Sequence, residues 1–240
     1  MRGYGQFCPV AKAAEIFAER WTPLVLRELV CGSHRFNDLH RGVPLMSRSL
    51  LAQRLRRLEA AGIVERRPGG EGQSSDYYLT PAGEEFRPVI DAMGRWGQRW
   101  SRRFDPADLD PALLVWDMQR NLNREHLPPR RVVMQMEFRG VPRRHHACCR
   151  LWLIIEQQTI DVCLKDPGFD VELFVQADLA ALTKVWMGDL PLTDALRSGA
   201  VELDGKPQLV RTFSSWLGLS IFASVPRPPH PQMAPATRAG

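Results

Sequence analysis

The chain has 240 residues, of which 44% are hydrophobic and 25% are charged, and its formal net charge at pH 7 is +5. These proportions are typical of a globular protein and exclude a disordered or collagen-like chain as the main description. The apolar runs, such as Leu151 to Ile155, are far shorter than the ~18 residues that a transmembrane helix needs.

The charge is unevenly divided along the chain. Residues 1–104 contain 17 Lys and Arg against 11 Asp and Glu, whereas residues 105–240 contain 15 against 16. A basic first half joined to a nearly neutral second half predicts a polyanionic partner for the first and another task for the second. The five cysteines are an odd number, and no apolar signal segment precedes them, so we expect a cytoplasmic protein without a disulfide framework.

Composition shifts predict two domains. Two prolines and three aspartates follow a long helical pattern at 105–111, which is typical of a linker. We therefore place an N-terminal domain at 1–103, a linker at 104–110 and a C-terminal domain at 111–225. The segment 226–240 is rich in proline and poor in large apolar residues, which predicts a flexible tail.

Capping and breaking residues divide the first domain into short helices. We predict helices over 9–19, 23–31 and 36–40, the second with Thr22 as its N-cap and proline at its first position. A proline at position 44 then breaks the chain, and Ser47 is a suitable N-cap for a fourth helix over 48–61.

The fourth predicted helix is amphipathic. Leu51, Leu55 and Leu58 recur at spacings of four and three residues, which places them on one face and predicts that they enter the core. The opposite face carries small, amide and guanidinium groups, which can enter a DNA groove and contact base edges. A solvated face with incidental arginines is the alternative. The candidate DNA-binding residues of this segment are Ser47, Arg48, Ser49, Gln53, Arg56 and Arg57.

Two short strand-like runs follow, at 63–67 and 76–80, around a polar, glycine-rich loop. The first run ends in Arg66 and Arg67, whose charges can lie along the phosphate backbone or in the minor groove. A basic helix followed directly by such a hairpin predicts a winged helix-turn-helix domain, mostly α-helical.

A fifth helix is expected to begin at Thr80 and Pro81 and to carry a wide apolar stripe. Packing within the domain is one explanation of this stripe. We favour the other, pairing with a second copy of the chain, because the stripe is long, aromatic and at a domain edge. The candidate dimerisation residues are Phe86, Ile90, Met93, Trp96 and Trp100.

Several motifs in series resemble the HxlR family of bacterial winged-helix regulators. They are Cys8-Pro9, RWTPLVLREL at 20–29, RFNDL at 35–39, the spaced residues of the fourth helix with Gly62-Ile63-Val64, and Tyr78-Leu79-Thr80 with Gly83. The match runs in order over roughly residues 5–100, and a series of motifs is more specific than any single one. The resemblance implies a dimeric transcription factor with its recognition helix at 48–57 and its wing at 63–80. Where relatives often have a proline-rich approach to the second wing strand, this chain has GGEGQSSD.

Cys8 is a candidate redox-sensing residue, because several members of that family use a cysteine at this Cys-Pro position to sense quinones, aldehydes or hypochlorite. The chemistry needs an accessible thiolate, which Lys12, one turn along, and the positive end of the first helix would favour. A small, packed side chain is the alternative explanation.

The hydrophobic period changes to two after Arg131. Residues 132–139 alternate between apolar and other side chains, and 151–156, 159–164 and 171–176 are further strand-like runs, so we predict about four strands. Helices are expected from the N-cap Asp178 to Met187, over 193–197 and over 207–217. A sheet followed by apolar-faced helices predicts an α+β domain.

The second half resembles sterol carrier protein-2 (SCP2-like) domains over roughly residues 111–225, through segments at 169–175, 186–189, 195–199 and 201–205. Such domains hold a lipid or another apolar ligand between sheet and helices, so the resemblance implies an apolar cavity. The alternative is that the same side chains fill the core. The candidate pocket residues are Trp152, Ile154, Val185, Trp186, Phe213 and Trp216.

Patterns for catalysis or metal binding are weak. His145, His146, Cys148 and Cys149 lie close together, but neighbours on an extended chain point to opposite sides, and no paired Cys-x-x-Cys exists elsewhere. The sequence contains no phosphate-cradling, dinucleotide-binding or His-Glu-x-x-His motif. We therefore predict no catalytic residues, no metal site and no cofactor.

The leading hypothesis is a homodimeric regulator that binds double-stranded DNA and responds to an apolar small molecule or lipid in its C-terminal domain. Two alternatives stay open: a repressor that senses oxidants through Cys8, and a lipid carrier whose winged-helix half mainly dimerises. None of these hypotheses involves a membrane partner.

Overall fold

The computed structural model describes residues 3–69, 75–101 and 105–226. The chain divides after Trp96 into two compact units. The loop at 70–74 and nearly all of the predicted tail at 226–240 lie outside the described residues. No helix in the described part of the chain is long and apolar enough to cross a membrane.

The first unit consists of helices and a two-stranded hairpin. Its elements are α1 (Pro9–Phe17), α2 (Thr22–Val30), α3 (Phe36–Gly42), α4 (Arg48–Ala60), β1 (Val64–Arg67), β2 (Asp76–Leu79), α5 (Pro81–Glu84) and α6 (Arg87–Trp96). A π-helical turn, Gly97–Ser101, follows α6 in the chain. The strands β1 and β2 pair in antiparallel fashion.

The predicted pattern of α4 is confirmed. The hydroxyl of Ser47 caps the helix by accepting a hydrogen bond from the backbone N–H of Leu50 at 3.3 Å. Leu51, Leu55 and Leu58 are at most 1% exposed and belong to the core of this unit. The three leucines therefore fix which face of α4 remains exposed to solvent.

Two local predictions in the first unit are wrong. Trp21, with a left-handed backbone at φ 76°, takes the N-cap position of α2, and the expected cap, Thr22, is its first helical residue and is fully buried. The expected single fifth helix is broken into α5 and α6. Pro88 explains the break, because it lacks the N–H that would bond to Glu84 and its ring would collide with that carbonyl.

The second unit is an α+β layer, as predicted. Its elements are α7 (Pro111–Arg120), β3 (Val132–Arg139), β4 (Arg150–Ile155), β5 (Ile160–Cys163), β6 (Leu173–Asp178), α8 (Leu179–Trp186), α9 (Leu192–Arg197), β7 (Val201–Gly205) and α10 (Pro207–Trp216). The strands form a mixed sheet in the order β5-β4-β3-β6-β7. In this sheet β3 and β6 are parallel, and the other neighbours are antiparallel.

Two elements of the second unit differ from the predictions. The edge strand β7 is a fifth strand, and its mostly polar sequence VELDG gives only a weak strand pattern. The helix α7 was not predicted. It is capped by Asp110, whose carboxylate accepts hydrogen bonds from the backbone N–H groups of Ala112 and Leu113 at 2.9 and 3.2 Å. Leu109, within the predicted linker, is buried in the core of the second unit.

The helices of this unit cover one face of the sheet. Met134 of β3, Leu153 of β4 and Val175 of β6 share a core with Leu182 of α8 and Phe213 of α10. Successive residues of a strand point to opposite faces, so these alternate positions form the inner face. The alternation predicted for β3 is therefore confirmed.

The predicted six-residue pocket needs correction. Trp152 and Ile154 occupy the positions of β4 on either side of Leu153 and so face away from the helices. The other four candidates, on α8 and α10, belong to the opposite, inner face: Val185, Trp186, Phe213 and Trp216. One cavity cannot be lined by both groups.

Glu172 is the centre of an ion-pair cluster in the second unit. Its carboxylate accepts hydrogen bonds from Nη1 and Nη2 of Arg130 at 2.7 and 2.8 Å, and it also pairs with Lys206. The Glu172 side chain is only 14% exposed. The hydrogen bonds from Arg130, opposed by burial and aided by Lys206, lower the pKa of Glu172 from 4.5 to about 2.

We expect Glu172→Gln to lower the free energy of unfolding at pH 7 by about 1 to 2 kcal/mol, since the exposed basic partners are screened by solvent. Because the pKa is depressed in the folded state, the contribution is present above pH 4.5 and disappears as the pH falls toward 2. Urea unfolding across this range measures it. Glu202→Gln is the control, because Glu202 pairs with Arg139 at 2.7 Å but is 53% exposed. Equal losses in the two variants would contradict the prediction.

Candidate nucleic-acid interface

The helices α3 and α4 form a helix-turn-helix. Val43 and Met46 in the turn between them are each 1% exposed. The backbone N–H of Met46 donates to the carbonyl of Val43 at 2.9 Å, and a ring nitrogen of His40 bonds to the carbonyl of Met46 at 2.9 Å. These contacts fix the point at which α4 begins.

A buried carboxylate joins α2 to α3. Glu28 has no exposed surface, and its Oε1 accepts hydrogen bonds from Arg27 Nη2 and Nε at 2.7 and 3.1 Å. Arg27 Nη2 also donates to the carbonyl of Gly42 at 2.8 Å. A Cβ atom at Gly42 would lie 1.8 to 2.3 Å from the Glu28 carboxylate, so any larger residue at this position would displace that carboxylate.

The outward face of α4 carries the central group of predicted DNA-binding residues. Ser49, Gln53 and Arg56 are exposed on the side opposite the buried leucines. Within the described ranges, the side chain of Arg56 has no hydrogen-bond or ion-pair partner. Its guanidinium is therefore available for an external acceptor.

Glu19 holds two arginines of α4. Arg57 Nη1 lies 3.0 and 3.2 Å from the carboxylate oxygens of Glu19, and Arg54 pairs with the same carboxylate. Arg54 is 8% exposed, and burial, followed by the charge of Arg57, lowers its pKa. Arg57, a predicted DNA-binding residue, is thus already paired within the chain. The sequence pattern of α4 alone gives no sign of this, because Glu19 is remote in the chain.

Arg48, at the start of α4, is held in place by α3. Its Nη2 donates to Oδ1 of Asn37 at 2.7 Å, and its guanidinium carbon lies 5.0 Å from the ring centroid of Phe36. Both partners are uncharged, so the positive charge of Arg48 is oriented but not neutralised.

The hairpin presents the two predicted wing arginines in different states. Arg66 lies opposite Tyr77 in the strand register, and its exposed side chain has no polar partner among the described residues. Arg67 pairs with Glu65 and stacks on the ring of Tyr78 at 4.3 Å. Arg66 is therefore the more available charge of the two.

His34 attaches the hairpin to the helix-turn-helix. The backbone N–H of Tyr77 donates to the carbonyl of His34 at 2.8 Å, and Nδ1 of His34 lies 3.0 Å from the carbonyl of Tyr77. The His34 ring also stacks on Tyr78 with a centroid distance of 4.2 Å. These contacts hold β2 against the segment that leads into α3. Nothing in the sequence patterns indicates this role of His34.

Cys8 takes the N-cap position of α1 and is partly exposed, without a side-chain hydrogen bond to the helix. Lys12, expected to favour its thiolate, instead donates to the two carboxylate oxygens of Glu15 at 3.2 and 3.4 Å. The backbone N–H of Tyr4 donates to the same carboxylate at 3.0 Å. The side chain of Lys12 is therefore paired with Glu15 instead of with Cys8.

The apolar stripe of α6 divides into a buried and an exposed part. Ile90 is 8% exposed in the core of the first unit, and Phe86 stacks on Phe17 at 5.3 Å. Met93 and Trp96 of α6, and Trp100 of the π-helical turn that follows it, are 39 to 52% exposed. Of the five predicted dimerisation residues, only these three are largely available to a partner.

The clustered histidines and cysteines at 145–149 do not form a reactive or metal-binding site in the described part of the chain. His145 Nδ1 lies 3.5 Å from the carboxylate of Asp110, and Arg144 Nε donates to His145 Nε2 at 2.9 Å. Burial, then Asp110 and Cys149, raise the pKa of the Cys148 thiol, which disfavours the thiolate that a ligand or nucleophile needs. In the part of the chain that the structure describes, no group of three or more His, Cys, Asp or Glu side chains could hold a metal ion.

A helix-turn-helix with a basic exposed helix and an attached hairpin defines a winged helix-turn-helix DNA-binding protein. A family model described as HxlR-like helix-turn-helix matches residues 16–105. The uncharacterized HTH-type transcriptional regulator YvaP of Bacillus subtilis is 33% identical over 107 residues, which cover 44% of this chain and 96% of that protein. The chain therefore belongs to the HxlR-like family, and it is a DNA-binding transcriptional regulator, not an enzyme.

Further matches cover a similar share of the chain. The uncharacterized HTH-type transcriptional regulator sll1512 of Synechocystis is 37% identical over 40% of this chain and 72% of that protein. Among solved structures, the reduced form of the transcriptional regulator YodB from B. subtilis is 30% identical over 42% of this chain and 100% of that chain, with a TM-score of 0.36. The family model ends at residue 105, so it does not cover the sheet of the second unit.

Proposed function

We propose that the protein is a cytoplasmic homodimeric regulator that inserts α4 of each subunit into the major groove of a pseudo-palindromic operator. The observation that carries this proposal is the exposed face of Ser49, Gln53 and Arg56, on a helix whose other face is fixed in the core by three leucines. A rigidly held helix with small and polar outward residues fits the groove.

Arg56 is proposed to contact a base edge. A guanidinium can donate two hydrogen bonds to O6 and N7 of guanine, and such a pair discriminates strongly against other bases. Its lack of an intramolecular partner in the described ranges means that no ion pair has to break first. Ser47, Arg48, Arg66 and Arg67 are proposed instead to contact the sugar-phosphate backbone, which sets register and affinity but not base preference.

Arg56→Ala should weaken binding to the operator by about tenfold or more, since a bidentate arginine-guanine contact contributes about 1 to 3 kcal/mol. Binding to scrambled DNA should change much less. Gel-shift titration at two salt concentrations measures both. Arg87→Ala is a matched control, because Arg87 is exposed but pairs with Glu84 at 2.7 Å. If Arg56→Ala bound the operator as tightly as the control variant, Arg56 would not belong to the interface.

Dimerisation is proposed to use the exposed part of the α6 stripe. Trp96 is 52% exposed and Met93 46% exposed, which is unusual for large apolar side chains. In α1, none of the nine residues is fully buried, and Phe17 of α1 contacts Phe86 immediately before α6. Adjacent apolar surface on α1 and α6 favours a second copy of the chain as the cover.

The double variant Met93→Glu and Trp96→Glu should therefore be monomeric in analytical ultracentrifugation, because it places charges where an apolar contact is proposed. Its circular dichroism spectrum should remain that of the wild type, since neither side chain belongs to the described core. Leu164→Glu serves as the control, because Leu164 is also 52% exposed but lies in the second unit. A dimeric double variant would assign dimerisation to another surface.

The second unit is proposed to be an SCP2-like domain that binds an apolar ligand between sheet and helices. Trp186, Phe213 and Trp216 lie on this inner face. Trp216 is 1% exposed, and its indole Nε1 has no hydrogen-bond partner among the described residues. A buried N–H without an acceptor is costly, so an apolar molecule that carries one oxygen would suit this position.

Such a ligand can regulate DNA binding only through different affinities for two states of the dimer. The expected effect is a change in the spacing of the two α4 helices and not a contact between ligand and DNA. The redox alternative at Cys8 has less physical support, because Glu15 pairs with the lysine that would stabilise the thiolate.

Trp216→Phe removes the unpaired donor, keeps an aromatic ring at this position and should reduce the amount of apolar molecule that co-purifies with the protein. Solvent extraction followed by mass spectrometry measures this amount. Trp152→Phe is the matched control, because Nε1 of Trp152 is also buried without a partner but lies on the other face of the sheet. Equal ligand content in both variants, or no extractable ligand in the wild type, would count against the inner-face site.

A further inference from the structure

A basic cleft lies between α3, the start of α4 and the hairpin. Its volume is about 580 Å³. The residues that line it are Arg35, Phe36, Asn37, Arg48, Arg66, Ser75 and Tyr77. Three of them are arginines, and none is acidic, so the cleft concentrates positive charge without an internal counter-ion in its walls.

The three arginines differ in how they are held. Arg48 is hydrogen-bonded to the neutral amide of Asn37 at 2.7 Å, so its charge is oriented. The side chains of Arg35 and Arg66 are exposed and make no hydrogen bond or ion pair with any other described residue. By contrast, many exposed arginines of this chain pair with carboxylates, as Arg41 does with Asp38 and Arg95 with Asp91. Two guanidiniums without acid partners in one cleft indicate an external anion.

The two walls of the cleft are joined to each other. Arg35 is the N-cap residue of α3, and the preceding residue, His34, makes two hydrogen bonds to Tyr77 of the hairpin. In the strand register, Tyr77 lies opposite Arg66. The distance between Arg35 and Arg66 is therefore set by the fold of the unit and not by a flexible connection, which reduces the entropy cost of binding an anion between them.

We propose that this cleft binds phosphodiester groups of the DNA backbone, with Arg35 and Arg66 donating hydrogen bonds to the same stretch of one strand. The inference rests on the proposed function and extends it to Arg35, which the patterns of α4 and of the hairpin do not reveal. The cleft adjoins both elements that are proposed to contact DNA. A DNA strand that passes from the recognition helix to the wing must therefore cross the cleft. Phosphate oxygens are acceptors that match the fork of donors on a guanidinium.

Arg35→Gln is the test. It should weaken binding by about fivefold to tenfold at about 150 mM salt, equally for operator and scrambled DNA, and reduce the slope of log affinity against log salt by about 1. Arg87→Gln, which removes the same charge from a site outside the cleft, should leave affinity and slope unchanged. An Arg35→Gln protein with wild-type affinity and slope would overturn the proposal.

Single neutral methylphosphonates placed along the DNA locate the contact. At one or two positions the neutral group should weaken DNA binding by the wild type. At the same positions it should not weaken binding by Arg35→Gln any further, because the guanidinium that pairs with this phosphate has already been removed. If every methylphosphonate weakened DNA binding by Arg35→Gln as much as by the wild type, the assignment would be overturned. If the wild type shows no sequence preference but Arg35→Gln still loses affinity, the proposed regulator function fails while the phosphate cleft stands.

Inorganic phosphate distinguishes a DNA phosphate from a small anion as the natural occupant. Free phosphate should raise the melting temperature of the wild type more than that of Arg35→Gln, and it should compete with DNA. Stabilisation by phosphate that depends on Arg35, together with unchanged DNA binding by Arg35→Gln, would assign the cleft to a small anion and overturn the proposal.

Discussion

The buried carboxylate of Glu28 is the constraint on which the DNA-binding unit depends. A charge without exposed surface is tolerated only when it is paired and hydrogen-bonded, and Arg27 and Ser33 meet this requirement. Because the carboxylate lies directly against Gly42, which has no side chain, α3 can pack closely on α2 at this point. The turn that leads to α4 begins directly after Gly42, so this contact lies at the junction of the helix-turn-helix.

Much of the first unit is predictable from sequence because its signals are local. The leucines of α4 repeat with the helical period, and Ser47 precedes them at the capping position, so helix and orientation follow without tertiary information. The pairing of Arg57 with Glu19 is different in kind. It joins residues that are far apart in the chain, so no periodic pattern of the sequence predicts it. Exposed arginines therefore look equivalent in the sequence, although the fold leaves only some of them unpaired.

In the second unit, too, apolar character in the sequence does not by itself predict which side chains lie together. Alternation in β3 correctly separates its two faces, and the same alternation in β4 places Trp152 and Leu153 on opposite sides. Grouping residues by apolar character alone loses this distinction, and so the predicted pocket mixes both faces. The edge strand β7 was harder to predict, because only Val201 in it is fully buried and the rest of its pattern is polar.

The attachment of β2 to His34 has a consequence for how a DNA sequence is selected. Since one main-chain hydrogen bond and one from the His34 ring join the hairpin to the segment before α3, the unit has little freedom to adjust the gap between α4 and the hairpin. A duplex must then adapt its own twist and groove width to this fixed gap, and the cost of doing so varies with its base steps. Bases that no side chain touches would thereby contribute to operator choice through the stiffness of the DNA.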